Sequence, residues 1–305
     1  MNGLSIQACT PLVQLQDSGR FGVRHLGITQ GGALDWIAQH WANWLLGNPL
    51  NAAVLEIPLG GVRLLCQQPV QLALAGADLA ARIDDKPLAP WRSFTLRAGE
   101  HLSFERPVEG ACAYLAAPGG FSAPAVFGSC ASIGRESLGG LDGYGSALNV
   151  GDTLSWTGGA PSQRELPASL CPRYHGALRL DVVLGAQNGD FAGQSLFDVF
   201  NAPWTLDARS NRMGARLLGP VLRYLGRPLV SEGIPLGAIQ VPPDGQPIIL
   251  LNDRQTIGGY PRLGALTPSA VARLAQCLPG ETLHLRPVDR DSAQRQHLAQ
   301  WQHWG

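Results

Sequence analysis

Apolar and polar positions alternate along almost the whole chain. Val70-Gln71-Leu72-Ala73-Leu74, Leu102-Ser103-Phe104-Glu105, Leu178-Arg179-Leu180-Asp181-Val182 and Leu283-His284-Leu285-Arg286 all show period two, which predicts strands. Three segments share one template: Gly99-Glu100-His101-Leu102-Ser103-Phe104, Gly151-Asp152-Thr153-Leu154-Ser155-Trp156 and Gly280-Glu281-Thr282-Leu283-His284-Leu285. Each sets glycine and an acid at a turn before an alternating strand, which suggests one hairpin design reused in at least two β units, with coincidence or common β-turn chemistry as the alternative for so short a repeat. Only two segments show helical spacing. Leu34, Ile37, Ala38, Trp41 and Leu45 form a stripe that stops at Gly47-Asn48-Pro49, and Ala270, Val271, Leu274, Ala275 and Leu278 form another between Thr267-Pro268 and Pro279-Gly280. Trp36, Trp41 and Trp44 read as packing residues of the first helix.

The pattern dissolves over Thr157-Gly158-Gly159-Ala160-Pro161-Ser162-Gln163, with Pro167 and Pro172 beyond, so a linker is expected between about 157 and 175. That divides the chain into an N-terminal β unit over 1–160, a C-terminal one over 175–290, and a polar tail over 291–305 that is either a docking strand or loose.

Composition narrows the function classes. Lys+Arg and Asp+Glu both number 23, which leaves no net field to draw in nucleic acid or an anionic membrane. The single lysine, Lys86, sits in Asp84-Asp85-Lys86-Pro87, outside the Gly-Lys-Ser/Thr setting of a phosphate loop and outside any biotin-carrier role. The 38 glycines and 23 prolines argue for many turns and against long bundles. Six scattered cysteines without a Cys-x-x-Cys pair read as reduced, buried thiols, and no metal site is expected. Without a basic, apolar leader or a run of ~20 apolar residues, a cytoplasmic protein is expected. Serine-hydrolase, zincin and dinucleotide-binding signatures are missing.

Polar residues gather instead at four glycine-rich loops. The first holds Asp17, Gly19, Arg20 and Gly22, then Gly31, Gly32 and Asp35. Asp17 and Arg20 can pair, or the Arg can take a carboxylate or phosphate with its planar fork; Asp35 suits dipole compensation at the helix start. The second is Tyr114 to Phe121, the third Ser210 to Arg216 followed by Ser231 to Gln240. There Glu232 is a candidate general base, although an exposed strand-end Glu looks the same. The fourth, Asn252-Asp253-Arg254-Gln255-Thr256-Ile257-Gly258-Gly259-Tyr260-Pro261, follows the apolar run Ile248 to Leu251 and carries more hydrogen-bonding side chains than a hairpin needs.

Taken together, Gln16-Asp17-x-Gly19-Arg20-x-Gly22, Ala42-Asn43-x-Leu45-x-Gly47-Asn48, Leu55-Glu56, Arg212-Met213-Gly214, Ser231-Glu232-Gly233, Gly237-Ala238-Ile239-Gln240-Val241-Pro242 and Asp253-Arg254-Gln255-Thr256 with Gly258-Gly259-Tyr260-Pro261 resemble the 5-oxoprolinase C-subunit family, also known as allophanate hydrolase subunit 2 or biotin-dependent carboxyltransferase-like. The resemblance runs from about residue 12 to about 287. It implies a mainly β fold of two tandem cyclophilin-like β-barrel units with a few short helices. It also implies partners, the B-type and A-type 5-oxoprolinase proteins, with which ATP-dependent hydrolysis opens 5-oxoproline to glutamate; the chain alone binds no cofactor and the complex uses ATP. The alternatives are a carboxyltransferase acting on urea or a related amide with biotin on a separate chain, or a regulatory partner of a B-type protein that resembles kinase inhibitors. Loop composition and position in that family make Glu232, Asp253 and Arg254 the expected catalytic residues, and Asp17, Arg20, Asp35, Arg212, Gln240, Gln255 and Tyr260 the expected substrate-binding ones. The family pattern is broken at Gln30, at Asn211 and over Leu184-Gly185-Ala186-Gln187, changes that bear on the substrate pocket.

Overall fold

The computed structural model describes residues 3–156, 158, 159, 162, 164–176 and 178–304. Of the expected linker, Thr157, Ala160, Pro161 and Gln163 lie outside the described residues. The chain divides into two compact units, Met1–Phe21 with Gly31–Tyr174, and Gly22–Gln30 with His175–Gly305. Residues 164–174, placed in the linker from sequence, pack on the first unit: Ser93 N–H donates to the Arg164 carbonyl at 2.9 Å, and the Arg164 guanidinium lies 4.7 Å from the Trp44 ring.

In the first unit two antiparallel sheets share one core. The larger runs Thr153–Leu154, Leu4–Ala8, Val62–Cys66, His101–Phe104, Arg82–Ile83, Lys86–Pro87, and the smaller Gln14–Gln16, Val54–Pro58, Glu109–Ala116, Val70–Asp78, Arg92–Leu96. Leu4, Ile6 and Leu64 of the first sheet meet Leu55, Leu72 and Leu115 of the second. Helix α1 (Trp36–Leu46) covers the other face of the smaller sheet, against Val70–Asp78 and Glu109–Ala116. From Leu72 to Ala77 the strand Val70–Asp78 is buried on both faces, as is Glu109–Ala116 from Gly110 on, so the alternation read at Val70–Leu74 does not carry on through the strand. Helix α1 begins two residues inside the expected Leu34 start, because Asp35 caps it by accepting from Ala38 N–H at 3.0 Å, and Gly47 ends it at φ +72°.

The second unit is a closed seven-stranded barrel, in the order Leu178–Leu184, Arg262–Leu266, Ala238–Gln240, Ile248–Leu250, Gly214–Leu218, Trp204–Leu206, Thr282–Val288. It closes through a parallel pairing, Leu178 opposite Leu283, while its other ladders are antiparallel. Closure removes both sheet edges. Helix α2 (Gly193–Asn201) packs near Thr282–Val288, and α3 (Pro268–Leu274) lies on Leu178–Leu184, capped by the Thr267 hydroxyl. The residues expected to be a strand or loose tail form a third helix of this unit, α4 (Arg290–Trp301), because Asp289 accepts from Ser292 N–H at 2.8 Å and starts it. The sequence pattern also missed α2, whose single inward stripe is short. Four of the six cysteines are buried, and all six are thiols outside any disulfide.

Candidate functional site

The expected site residues fall into two sets. Asp17, Arg20 and Asp35 belong to the first unit; Arg212, Glu232, Gln240, Asp253, Arg254, Gln255 and Tyr260 belong to the second.

In the first set the polar atoms are used by the fold. Asp17 is taken up by its own turn and by the 129–130 segment. It accepts from Gly19 N–H (2.8 Å), Ser129 Oγ (2.6 Å), Cys130 N–H (2.8 Å) and Cys130 Sγ (3.4 Å). Arg20, 1% exposed, donates to the carbonyls of Val126 (3.0 Å), Ser129 (3.3 Å) and Ala131 (2.8 Å). Together they pin the loop 126–131 from both sides. Asp35, beyond capping α1, accepts from Tyr174 Oη at 3.2 Å. Its own N–H donates to Tyr114 Oη, which donates to Glu56 Oε2 at 2.9 Å, and Glu56 also takes Leu34 N–H at 2.8 Å. Burial, with Cys112 and the carboxylates of Glu56 and Asp35 adding to it, pushes the Tyr114 phenol well above its usual range, so it stays a proton donor to Glu56. The Leu55-Glu56 and Tyr114 motifs thus build the entrance to α1. Asn43, Asn48 and Gly119 do the same at its exit: Asn48 Nδ2 donates to Ala117 O and to Asn43 Oδ1, and Gly119 N–H donates to Asn48 Oδ1.

The second set surrounds the short strand pair Glu232–Gly233 and Ile257–Gly258. Arg254 is 2% exposed; its Nε donates to Ile234 O, Nη1 to Leu251 O and Nη2 to Gln30 Oε1, each at 3.2 Å. Burial lowers its pKa to about 9, Arg24 adding to the effect and Asp253 opposing it, so it remains charged at neutral pH. Arg24 Nη2 donates to Ile234 O (2.8 Å), Thr256 O (3.2 Å) and Gln255 O (3.3 Å), and with Gln30 it anchors the Gly22–Gln30 segment to the fourth loop. Arg212 holds Asp253 through Nε (3.0 Å) and Nη2 (3.2 Å). The Gln240 amide is 2% exposed and its Nε2 makes no hydrogen bond among the described residues; it borders Gly258, as does the Gln255 amide. A Cβ at 258 would come 3.0 Å from Gln240 Nε2 and 2.5 Å from Ile234 Cδ1, so glycine is needed there by crowding.

Glu232 is the one candidate carboxylate open to solvent beside a cavity. Its side chain is 46% exposed, paired with Arg262, and accepts from Gln187 Nε2 at 2.9 Å. The cavity, about 310 Å³, is lined by Gln187, Glu232 and Arg262 and by apolar residues including Leu184, Pro235 and Ala265. The unusual run Leu184 to Gln187 is one of its walls. Of the other departures from the pattern, Gln30 meets Arg254 and Asn211 Oδ1 accepts from Met213 N–H at 2.8 Å. Tyr260, half exposed, lines a separate hollow of about 720 Å³ with Tyr224, Arg223 and Arg227. Arg262 and Gln187 were not singled out in sequence; Arg262 follows the Tyr260-Pro261 motif by one residue, and Gln187 ends the anomalous run. Among the described residues no cluster of His, Cys, Asp or Glu could hold a metal, and no helix is long and apolar enough to cross a membrane.

With this geometry in place, comparison with known proteins defines the class. Residues 26–287 match the family model for the carboxyltransferase domain, subdomain A and B. The barrel-containing β architecture is shared with K. lactis urea amidolyase, at a TM-score of 0.92 and 25% identity over 98% of this chain; the chain corresponds to 19% of that longer one. Relatives of similar length are the C subunit of 5-oxoprolinase from Escherichia coli K12, 39% identical over 272 residues (88% of this chain, 86% of the relative), and that from Haemophilus influenzae, 36% identical over 284 (92% and 89%). The chain belongs to the 5-oxoprolinase C-subunit family.

Proposed function

We propose that this chain is the C subunit of a cytoplasmic, ATP-dependent 5-oxoprolinase, opening 5-oxoproline to glutamate with A-type and B-type partner proteins. The observation that carries this reading is the 39% identity to the E. coli C subunit over nearly the full length of both chains. The chain binds no cofactor alone, and ATP is the co-substrate of the complex. A lactam is a poor electrophile. Transfer of the γ-phosphoryl group to its oxygen releases ADP and activates the ring carbon; water then adds there, the C–N bond breaks as nitrogen takes a proton, and a second water releases phosphate. Such a sequence needs a proton carrier and donors fixed where oxyanion charge develops.

Glu232, solvent-accessible beside the 310 Å³ cavity, suits the carrier role. Gln240 and Gln255, which border Gly258 opposite Glu232, are the proposed orienting groups, with the Arg212–Asp253 pair behind them, whereas Tyr260 would act only on a ligand in the separate 720 Å³ hollow. The buried carbonyl and cap contacts of Asp17, Arg20, Asp35 and Arg254 support positioning roles, in place of direct contact with substrate.

The test is reconstitution. The purified chain alone should release no glutamate from 5-oxoproline, and addition of its A- and B-type partners with ATP should restore release; a complex inert with ATP would refute the proposal. Likeness to urea amidolyase favours a second reading, carboxyl transfer to urea or a related amide from biotin on another chain. Biotin-dependent carboxylation of urea, without ATP-driven glutamate release, would select it.

A further inference from the structure

One rim of the 310 Å³ cavity is a ring of three polar residues, closed through the Arg262 backbone. Gln187 Nε2 donates to Glu232 Oε1 at 2.9 Å, Arg262 Nη2 pairs with that same oxygen, and Gln187 Oε1 accepts the Arg262 backbone N–H at 2.8 Å. Arg262 Nη1 also reaches the Gly233 carbonyl at 3.2 Å. The Arg262 side chain is 20% exposed and that of Glu232 46%, so a small solute can reach the pair from the cavity. Beneath it the wall is glycine: a Cβ on Gly264 would stand 2.2 Å from the Val183 carbonyl, and Gly185 lies over Gly264. The rest of the lining carries no charge.

An ion pair that silences the only accessible candidate base has to be opened before that base can work. A substrate carboxylate can open it, because to a guanidinium fork it is the chemical equivalent of the Glu232 carboxylate, and the exchange trades one charge-assisted hydrogen bond for another. We propose that Arg262 receives the carboxylate of 5-oxoproline, that this displaces Glu232 from Arg262, and that the released Glu232 then accepts the lactam N–H. This rests on the 5-oxoprolinase reading above. Gln187 holds the Glu232 carboxylate and the Arg262 backbone throughout, so both groups stay in place while their partners change. A neutral lactam such as 2-pyrrolidinone lacks the displacing group and leaves Glu232 paired, so the rim both selects an acid and withholds the base from neutral amides.

The isolated chain is titrated with 5-oxoproline and with 2-pyrrolidinone by saturation-transfer NMR, alongside Arg262→Lys, Arg262→Ala and Glu232→Gln, with thermal unfolding of each variant recorded to show that it folds. 5-Oxoproline should bind at least ~10-fold tighter than 2-pyrrolidinone; Arg262→Lys, which keeps the charge and loses the fork, should cut that preference by roughly 10-fold, and Arg262→Ala should abolish it. Glu232→Gln removes the competing carboxylate, so 5-oxoproline should bind more tightly while turnover of the reconstituted complex falls, a split that a structural role for Glu232 would not produce. Unchanged preference in folded Arg262→Ala, or weaker binding in Glu232→Gln, would overturn the exchange. The titration needs no ATP and no partner, so a wild-type complex that fails to open 5-oxoproline would refute the enzyme assignment while the rim is judged by binding alone. Unaltered KM in an active Arg262→Lys complex would refute the rim and leave the assignment standing.

Discussion

His40 is 4% exposed on α1, edge-on to Trp36 with ring centroids 5.3 Å apart, and burial alone lowers its pKa to about 4. In the unfolded chain the same imidazole titrates near 6.5. Above that pH both states carry it neutral and its contribution to stability is fully present. As pH falls from about 6.5 toward 4 the unfolded state takes up a proton that the folded state refuses, which favours unfolding by about 3 kcal/mol over the window and by no more below it. Denaturant midpoints between pH 7 and 4 should therefore fall more steeply for the wild type than for His40→Gln; parallel curves would show that His40 is protonated in place. Burial likewise separates the arginines. Arg20 and Arg254, 1% and 2% exposed, donate to fixed acceptors, Arg20 through Nε and Nη2 and Arg254 through all three nitrogens, whereas Arg262 is reachable and paired with a carboxylate that can leave. Removing the Arg254 side chain takes one of two donors from the Ile234 carbonyl, which keeps Arg24, one of two from the Leu251 carbonyl, which keeps the backbone N–H of residue 254, and the Arg254 donor from the Gln30 amide oxygen, so Arg254→Ala should lose on the order of 2 kcal/mol of stability as well as turnover. An Arg254→Ala chain as stable as the wild type would return Arg254 to direct substrate binding.

At the level of elements, the glycine–acid template repeated three times in the sequence is one physical turn. Gly99, Gly151 and Gly280 have φ of +85°, +98° and +87°. In each copy the following acid bonds back to a backbone N–H three residues earlier: Arg97 to Glu100 (2.7 Å), Asn149 to Asp152 (2.8 Å) and Leu278 to Glu281 (2.8 Å). The acid fixes the turn and the glycine supplies its conformation, after which the strand begins. A Cβ at any of the three glycines would meet nothing within 4 Å, so the need for glycine there is dihedral and not steric. Gly151→Ala should cost about 1–2 kcal/mol, and Gly151→Asn less, because Asn tolerates positive φ better than Ala. Were crowding the cause, the larger Asn would cost more than Ala, and thermal melts of the two variants decide between them. Gly219 is the contrasting case: its notional Cβ falls 2.6 Å from the buried Trp204 ring, so Ala there should destabilise the barrel by overpacking. This turn and the two apolar-striped helices were legible in sequence because their causes are local. Helices α2 and α4 were not. The stripe of α2 spans barely two turns, and α4 buries no side chain at all, so neither leaves a strong periodic signal.

For the molecule as a whole, the strand-rich class and the polar loops could be read in advance because alternation and loop chemistry are properties of short stretches. What could not be read was which polar residues support the fold and which face solvent, since that depends on carbonyls far away in sequence. Arg254 meets Gln30 from 224 positions off, and Glu232 meets Gln187 from 45. Nor did any local feature mark Gly22–Gln30 as part of the second unit, although its residues continue the first unit's loop without a break. That excursion has a consequence for dissection of the chain. Without residues 22–30, the carbonyls of Ile234, Gln255 and Thr256 lose the Arg24 guanidinium, Arg254 loses the Gln30 amide, and Thr29 no longer reaches the Arg254 carbonyl. The Ile234 and Thr256 carbonyls keep one donor each, from Arg254 Nε and the Ile234 N–H, but the contacts that tie residues 22–30 to the fourth loop are lost together and the buried Arg254 gives up one of its three acceptors, at about 0.5–1.5 kcal/mol for each hydrogen bond against a total stability of about 5–15 kcal/mol for an ordinary domain. A fragment cut at the Tyr174–His175 boundary, residues 175–305, should therefore fail to unfold cooperatively, and exchange of its amide protons around Ile234 and Thr256 should be fast. The intact chain should protect those same amides. Cooperative melting of the isolated fragment with protected amides at Ile234 would show that the barrel carries the fourth loop unaided and that residues 22–30 merely lie upon it.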